Sequence, residues 1–292
     1  MTSAKIVKHS ITEWGQEIVT FELEYPRIIH SELLTHKILS KSSASSRAIP
    51  ILSMIKKVWD DPATPVSWGK NQPGMSAKED LAGWKLFAAK KIWNLSSKFS
   101  CFFSFILAKI GTHKQIANRL TEPYSFIKVL VTGTNFENWY KLRDHKDADP
   151  TICQLAANMK KAHIESEPQL LKFGEWHLPY VENHYDCLNL DIDSKLKLSA
   201  SLCAQTSYRK SDDSLEKAFR IYEKLIDSEP AHFSPMEHQA TPLYNDNESS
   251  IFCTHKDKLG RLWSGNFCGW GQYRQKIQNE KNLEAMTCKN VK

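Results

Sequence analysis

A serine-rich run that ends in arginine contains the residue types that could bind a phosphate group. It extends from Ser40 to Ser46, includes Lys41, and is followed directly by Arg47. Serine hydroxyls can donate hydrogen bonds to phosphate oxygens, and a guanidinium group can hold two of those oxygens at once. The run could therefore bind a phosphate monoester, or it could be a flexible polar loop with no ligand.

The residues before this run predict a strand and then a helix. From Glu17 to Tyr25 apolar and polar residues alternate, which is typical of a half-buried β-strand. Pro26 ends the strand, and apolar residues at helical spacing then predict a helix from Arg27 to about Lys37. We therefore expect the serine-rich run to leave a helix and to form a loop.

Composition indicates a globular protein without a membrane segment. Of the 292 residues, 41% are hydrophobic and 25% are charged. The longest strongly apolar stretch, residues 101–108, is too short to cross a bilayer, and the N-terminus has no signal-peptide pattern. We therefore expect a cytoplasmic protein that does not bind membranes.

Charge and cysteine usage narrow the classes of function. The net charge of +6 is spread along the chain, which favours small anionic substrates over nucleic acid as partners. The seven cysteines include no CxxC pair, so we expect reduced thiols rather than a disulfide framework. No cysteine stands in a pattern typical of a catalytic nucleophile.

The rest of the chain shows mostly helical patterns. Helices are predicted over residues 49–58, 77–110, 113–120, 135–143 and 150–163, and a strand over residues 126–131. The apolar residues at helical intervals in 77–110 are expected in the core. The turn-rich stretch 60–74, which contains Trp68, is either a connecting loop or a lid.

Three groups of residues resemble motifs of the flavin-dependent thymidylate synthases. The first is Thr35-His36-Lys37, followed after seven residues by Ser45 and then by Arg47. It resembles the family's Arg-His-Arg, seven residues, Ser and, two positions on, Arg. Thr35 and Lys37 stand where the family has its first two arginines, and Ser42-Ser43 replace the usual Asn-Glu.

The second group lies between residues 118 and 150. Asn118–Pro123 is similar to the family segment whose arginine, here Arg119, binds the nucleotide phosphate. Phe136–Pro150 is similar to the segment that carries Asn, four residues and Arg, here Asn138 and Arg143. In the family that Asn contacts the flavin and that Arg contacts the uracil ring.

The third group comes late in the chain. His232–His238 reads His-Phe-Ser-Pro-Met-Glu-His and is close to the family's His-x-Ser/Thr-Pro-Phe-Glu-His. It follows a piece with small residues, 200–208, and a predicted second helix, 214–228. In the family these pieces precede the serine run, so the resemblance implies a circularly permuted, phage-type long form.

The resemblance implies a fold and an assembly. The expected fold is α+β, with a twisted, largely antiparallel sheet flanked by helices, as in the thymidylate-synthase-complementing proteins. Residues 1–292 would form one catalytic domain, with the strand, serine run and phosphate- and uracil-binding helices in 1–163. Residues 164–198 would join this part to the His-x-Ser-Pro module and aromatic tail in 199–292. A homotetramer is implied, because active sites in the family are shared between subunits.

The implied reaction is the reductive methylation of dUMP to dTMP. Methylenetetrahydrofolate would donate the carbon, and FAD reduced by NADPH would donate the hydride. Arg143 would be catalytic, because its charge could stabilise the negative charge that develops on the uracil ring. The residues implied to bind FAD are Thr35, His36, Lys37, Ser43, Asn138, His232 and Ser234. The residues implied to bind dUMP are Glu32, Ser45, Ser46, Arg47, Arg119 and Arg143.

Two other functions stay open. A related flavin- and folate-dependent enzyme could hydroxymethylate a pyrimidine nucleotide, since Lys37, Ser42 and Ser43 depart from the family motif. A non-catalytic nucleotide-binding protein could have kept the fold and lost the flavin. No metal site is predicted, because His232 and His238 lack an evident third ligand in the sequence.

Overall fold

A five-stranded sheet organises the N-terminal part of the chain. The computed structural model describes residues 1–185, 187–206, 214–244 and 251–280. The strands of the sheet are β1 (Ser3–Thr12), β2 (Glu17–Pro26), β3 (Ser40–Ser43), β4 (Phe126–Gly133) and β5 (Gln169–Leu171). In spatial order they run β3-β4-β2-β1-β5, and every neighbouring pair is antiparallel except β1 and β5. The α+β fold class with a largely antiparallel sheet is therefore confirmed.

The central strand β2 confirms the strand predicted at Glu17–Tyr25. Phe21, Leu23 and Tyr25 pack into the main core on one face of the sheet. Ile18 packs with Trp270 in a smaller cluster that includes C-terminal residues. The start of the strand is therefore covered on both faces, while Glu22 and Glu24 stay partly exposed, so the predicted alternation holds in its second half.

In the described part of the chain, α-helices surround this sheet and a second core. The labelled helices are α1 (His30–Leu34), α2 (Ile51–Asp60), α3 (Gly83–Lys109), α4 (Lys114–Ala117), α5 (Glu137–Arg143), α6 (Pro150–Ile164), α7 (Ile192–Ala204) and α8 (Leu215–Asp227), and residues 273–280 are helical as well. Trp139 from α5 and Leu155 from α6 are buried in the main core. The start of α6 follows local chemistry, because Pro150 lies in its first turn and the Asp149 side chain accepts hydrogen bonds from two backbone N–H groups.

The serine-rich run is a strand over half its length, which corrects the expectation of a loop. Ser40–Ser43 form β3 and pair with β4, with Ser40 opposite Thr132 and Ser43 opposite Val129. These four residues are all polar, so the sequence shows no alternation of apolar and polar residues that would predict a strand. Pairing with β4 supplies the backbone hydrogen bonds that decide this conformation.

The long helix α3 begins at Gly83, not at residue 77, and its apolar residues are not core as expected. Trp84 is 75% exposed, and Phe87, Ile92 and Leu95 are also exposed. The residues that α3 buries are small ones, Ser97, Cys101 and Ser104. The physical reason is close packing, because small side chains let α3 approach its neighbours while the larger apolar ones point outward.

The C-terminal part contributes a second core and, among its described residues, a two-stranded and a three-stranded sheet. Helices α7 and α8 pack with a 3-10 turn at Ser234–Glu237 and with Tyr273. The remaining strands are β6 (Ala240–Pro242), β7 (His255–Lys256), β8 (Leu262–Ser264), β9 (Phe267–Cys268) and β10 (Trp270–Gln272). Within the aromatic tail, Phe267 and Trp270 are completely buried and serve as core. None of the described helices is both long and apolar enough to span a membrane.

Candidate functional site

Arg143, the last residue of α5, meets the segment that follows α1. Its Nη1 donates to Glu32 Oε2 at 2.7 Å, its Nε to His36 Nε2 at 3.0 Å, and its Nη2 to Thr35 Oγ1 at 3.4 Å. His36 is 7% exposed and packs edge-on against the ring of Trp139 at 4.8 Å. The fold thus brings Arg143 to three other predicted site residues, which lie 107 to 111 positions before it in sequence.

The contact between Arg143 and His36 determines the protonation of the imidazole. Because Arg143 Nε–H donates to His36 Nε2, that nitrogen carries no proton and Nδ1 does. Burial, then the charges of Arg143 and Lys41, lower the pKa of His36, so the ring is neutral at neutral pH. Arg143 has five N–H donors, of which these contacts use three, so two remain for a ligand.

Lys41 holds the segment between His36 and β3 in place. Its Nζ donates to the backbone carbonyl oxygens of His36 at 2.5 Å and Leu39 at 2.8 Å. Burial lowers the pKa of Lys41, while the carboxylate of Glu237 opposes that shift. The sequence did not single out Lys41 as a site residue, although it lies between two serines of the run. Its role depends on carbonyl groups whose positions only the folded chain defines.

Two of the predicted phosphate-binding residues, Ser46 and Arg119, contact the carboxylate of Glu122. Ser46 Oγ donates to Glu122 Oε1 at 2.5 Å, and Arg119 Nη1 lies 3.2 Å from the same carboxylate. Arg27 Nη2, which the sequence did not single out, lies 3.3 Å from Glu122 Oε1. Two guanidinium groups and one carboxylate leave a positive charge beside Ser46, which suits an anion.

The end of the serine run is a short 3-10 turn. Ser45 precedes this turn, which spans Ser46–Ala48, and Arg47 is exposed on it. The side-chain amide of Asn118 donates to the backbone carbonyl oxygens of Ser46 at 2.8 Å and Ile49 at 2.9 Å. The motif residue Asn118 therefore orients the turn, while Arg47 stays available to a ligand.

A cavity of about 400 Å³ opens beside this turn. It is lined by both ends of the turn region, Ala44 and Ile49, together with Lys57, Lys128 and Thr206. Its volume lies in the range of small-molecule pockets. The predicted phosphate ligands Ser45, Ser46 and Arg47 do not line it, so the structure does not join the cavity and the phosphate group into one pocket.

The late His-x-Ser-Pro module lies against β3. His238 Nε2 is 2.8 Å from Ser42 Oγ, and His238 Nδ1 is 2.8 Å from Thr132 Oγ1. The backbone carbonyl of Glu237 accepts from Gln272, and its carboxylate pairs with Arg274. Since His238 is buried with both ring nitrogens engaged, it does not form a metal pair with the exposed His232.

A buried row of hydrogen bonds continues from His238 across the sheet. Thr132 Oγ1 lies 2.7 Å from Thr20 Oγ1, and Thr20 Oγ1 lies 2.8 Å from His177 Nε2. His177 Nδ1 then lies 3.0 Å from Ser10 Oγ. We call Ser42, His238, Thr132, Thr20, His177 and Ser10 the polar row.

Both histidines of the polar row are neutral. Burial lowers the pKa of His238 to about 3 and that of His177 well below its ordinary value. The sequence gave no sign of His177, because its partners lie on β1 and β2, more than 150 residues earlier. The row ties the joining segment 164–198 and the late module to the central sheet.

The other predicted flavin residues lie at the surface or near it. Lys37, Asn138, His232 and Ser234 are exposed, and Ser43 is half-buried on β3. Asn138 shares α5 with Arg143, and Ser43 follows Ser42 of the polar row. The small-residue piece 200–208 is helical to Ala204, and its last two residues lie outside the described part of the chain.

Comparisons with known proteins give little similarity. No protein-family model matches the chain, and no curated protein matches its sequence. Among solved structures, the chain is similar to a UMP/dUMP methylase, PolB from Streptomyces cacaoi, bound with 5-Br dUMP. That match has a TM-score of 0.46 and 12% identity, and covers 56% of this chain and 91% of PolB.

A second PolB structure, bound with 5-Br UMP, matches equally well. It also gives a TM-score of 0.46 and 12% identity, over 56% of this chain and 89% of that chain. A likeness at this level is too weak to assign a function.

Proposed function

We propose that this chain is a flavin-dependent thymidylate synthase that methylates dUMP to dTMP. The observation that carries the proposal is the cluster of Arg143 with Glu32, Thr35 and His36. Thr35 and His36 come from one motif of the resemblance and Arg143 from another, and a chance resemblance of either motif would not require them to touch.

In this proposal Arg143 acts on the uracil ring. Its charge stabilises the negative charge that develops on the ring, and its planar group is fixed by Glu32 and His36 before substrate arrives. A preorganised cation of this kind lowers the barrier because it does not have to reorient during the reaction.

The nucleotide phosphate binds at the turn that follows β3. Ser45, the backbone N–H of Ser46, Arg47 and Arg119 supply the donors, and Arg27, paired with Glu122, adds positive charge nearby. The cluster suits a dianion because its cations are partly neutralised by only one carboxylate.

FAD is held by residues from both parts of the chain, namely Thr35, His36, Lys37, Ser43, Asn138, His232 and Ser234. Their hydroxyl, amide, imidazole and ammonium groups fit the polar edge and phosphates of a flavin. Bound FAD, reduced by NADPH, would supply the hydride, and methylenetetrahydrofolate the carbon. Most of these residues are exposed in a single chain, so a flavin ring there would remain in water.

A homotetramer would complete this site. Ligand pockets bury most of their ligand, so the exposed flavin residues need a second surface to cover them. The exposed apolar side chains of α3 form a surface that a second copy of the chain would bury. Both features support a site that is shared between subunits.

The permuted module order fits this proposal. His238 of the late module contacts Ser42 of β3, although 196 positions separate them in sequence. A permutation leaves such contacts intact when the joining segment spans the former termini. Here His177, in the joining segment, is anchored to β1 and β2 by the polar row.

The purified protein tests the proposal directly. We expect visible flavin absorbance, saturable dUMP binding by calorimetry, and dTMP formation when methylenetetrahydrofolate and NADPH are added. Mass spectrometry of the product separates dTMP from 5-hydroxymethyl-dUMP, which the related hydroxymethylase would form. Binding of dUMP by a protein that stays colourless with added FAD would indicate the non-catalytic alternative and overturn the proposal.

A further inference from the structure

His9, Glu17 and His163 converge at one point away from the Arg143 cluster. His9 lies on β1, Glu17 at the start of β2, and His163 in the last turn of α6. His163 Nε2 is 3.2 Å from Glu17 Oε2, and His9 Nε2 is 3.8 Å from the same oxygen. All three potential ligand atoms lie within 4.8 Å of one another.

The Nε2 nitrogen of His9 is buried without a hydrogen-bond partner in the described part of the chain. His9 is buried, and its Nε2 has no hydrogen-bond partner among the described residues. Its Nδ1 lies 3.1 Å from Ser166 Oγ, which orients the ring so that Nε2 faces Glu17. A buried imidazole nitrogen aimed at a carboxylate, yet too far to bond with it, loses stabilising free energy unless a further group lies between them.

The Nδ1 nitrogen of His163, like that of His9, has a hydrogen-bond partner. Its Nδ1 lies 3.2 Å from Tyr140 Oη, and its ring packs edge-on against Phe21 and Phe136. Histidines that bind metals typically use one ring nitrogen for the metal and hold the other in a hydrogen bond. Both histidines here have that arrangement, with Ser166 and Tyr140 as the orienting partners.

We propose that His9, Glu17 and His163 form a binding site for a divalent first-row metal ion, with Zn²⁺ as the natural occupant. Tetrahedral ligands at about 2.0–2.1 Å from Zn²⁺ lie roughly 3.3 Å apart. The two distances to Glu17, 3.2 and 3.8 Å, are near that value. A small movement of the two histidine rings toward each other would then place the three ligand atoms on one face of a tetrahedron. A cation would neutralise Glu17 and satisfy the buried nitrogen of His9.

The site has an open position. Three protein ligands leave the fourth tetrahedral position to water or to a ligand, as in catalytic rather than structural zinc sites. The side chain of Glu17 is 43% exposed, so this side of the cluster is open to solvent. The inference does not depend on the proposed function, because none of the three residues belongs to the Arg143 or phosphate clusters.

A competition titration of the full-length protein tests the site. The chelator-stripped protein is titrated with Zn²⁺ against a chromophoric chelator, and the parent should bind one equivalent. Glu17→Gln keeps the shape of the side chain, His163→Gln keeps a polar side chain without the ring nitrogen ligand, and each should weaken binding by roughly tenfold or more. Circular dichroism of the metal-free forms checks that both variants fold.

His145→Ala is the matched control. His145 is exposed and pairs with Asp147 at 3.6 Å, and these two form no three-ligand group in the described structure. We expect its Zn²⁺ affinity to equal that of the parent. A parent that fails to compete for Zn²⁺, a loss below tenfold in both ligand variants, or an equal loss in His145→Ala would overturn the inference.

The orienting partners provide an independent measurement. Tyr140→Phe and Ser166→Ala leave all three ligands in place and should lower Zn²⁺ affinity by about 10- to 100-fold. With Co²⁺ as the probe, both variants should keep the absorption bands of a tetrahedral ion. Unchanged affinity in both variants would contradict the assigned geometry.

Discussion

At the scale of single residues, the site depends on a cation that is fixed before any ligand binds. Arg143 is held by Glu32 on one side and by the neutral ring of His36 on another. Its guanidinium group stays charged at any working pH, and lysine cannot reproduce its planar arrangement of donors.

Replacing Arg143 should therefore affect turnover more than binding. For Arg143→Ala we expect a loss of about 10²–10³ in the rate of dTMP formation, because a donor to the developing charge is removed. Arg143→Lys should recover only part of that rate. Turnover is measured at saturating dUMP, FAD, folate and NADPH.

The control for this prediction is Arg261→Ala. Arg261 is an exposed arginine paired with Asp257 in the C-terminal segment, and its loss should leave turnover unchanged. Near-parent turnover in Arg143→Ala would show that the assignment is wrong. A proportional loss of turnover and of helical circular dichroism would show that Arg143 is structural.

The proposed phosphate-binding residues should affect the binding of a nucleotide more than the binding of the corresponding nucleoside. Arg47→Ala and Arg119→Ala should each weaken dUMP binding by about 1.5–3 kcal/mol, the usual contribution of a hydrogen bond to a charged group. Deoxyuridine, which lacks the phosphate, should bind poorly to the parent and respond little to either change. Calorimetry measures both ligands, and equal losses for the two would place these arginines elsewhere.

At the scale of secondary-structure elements, the polar row joins strands and modules that are distant in sequence. It crosses β3, β4, β2 and β1, and its two histidines come from the joining segment and the late module. Each hydroxyl and ring nitrogen in it has a partner, which a buried polar group requires. The row therefore positions Ser42 on β3 while keeping both histidines neutral.

The polar row predicts that stability falls in acid. The pKa of His238 in the folded protein is about 3, below its ordinary value, so the unfolded chain binds a proton that the folded chain rejects. The stabilising contribution is complete above the ordinary pKa of about 6.5 and is lost as pH falls toward about 3. By about pH 4.5 this histidine alone should cost about 2–3 kcal/mol.

Urea unfolding at neutral pH and at about pH 4.5 measures this effect. His238→Gln keeps a hydrogen-bonding side chain but cannot titrate. Its free energy of unfolding should therefore change less between the two pH values than that of the parent. An identical pH dependence in both proteins would exclude His238 as the cause.

At the scale of the whole molecule, α3 is the feature that a single chain does not explain. It buries Ser97, Cys101 and Ser104 and leaves most of its large apolar side chains in solvent. Contiguous apolar surface of this kind typically marks an interface. In the proposed homotetramer these side chains would be buried against other copies.

Charge on this helix should disrupt the assembly. Phe103→Glu introduces a carboxylate where burial is expected, so we expect a shift from tetramer toward smaller species in sedimentation and a parallel loss of bound flavin. Lys258→Glu, in an exposed turn, should remain tetrameric. A parent that sediments as a monomer while holding flavin would refute the shared site.

Local patterns in the sequence determined many of the elements. The alternation in Glu17–Tyr25 predicts β2, and Pro150 predicts the start of α6. These predictions hold because the responsible interactions lie within a few residues of one another. The family resemblance also assigned Glu32, Thr35, His36 and Arg143 to one candidate site, and the structure brings Arg143 into contact with the other three.

Only the tertiary structure decided which faces and atoms meet. It made Ser40–Ser43 a strand through pairing with β4, and it turned the apolar residues of α3 outward. It also brought His177 and His238 into one row, and His9, Glu17 and His163 to one point. Most of these outcomes depend on partners that are distant in sequence, and the distances between those partners and their solvent exposure exist only once the chain has folded.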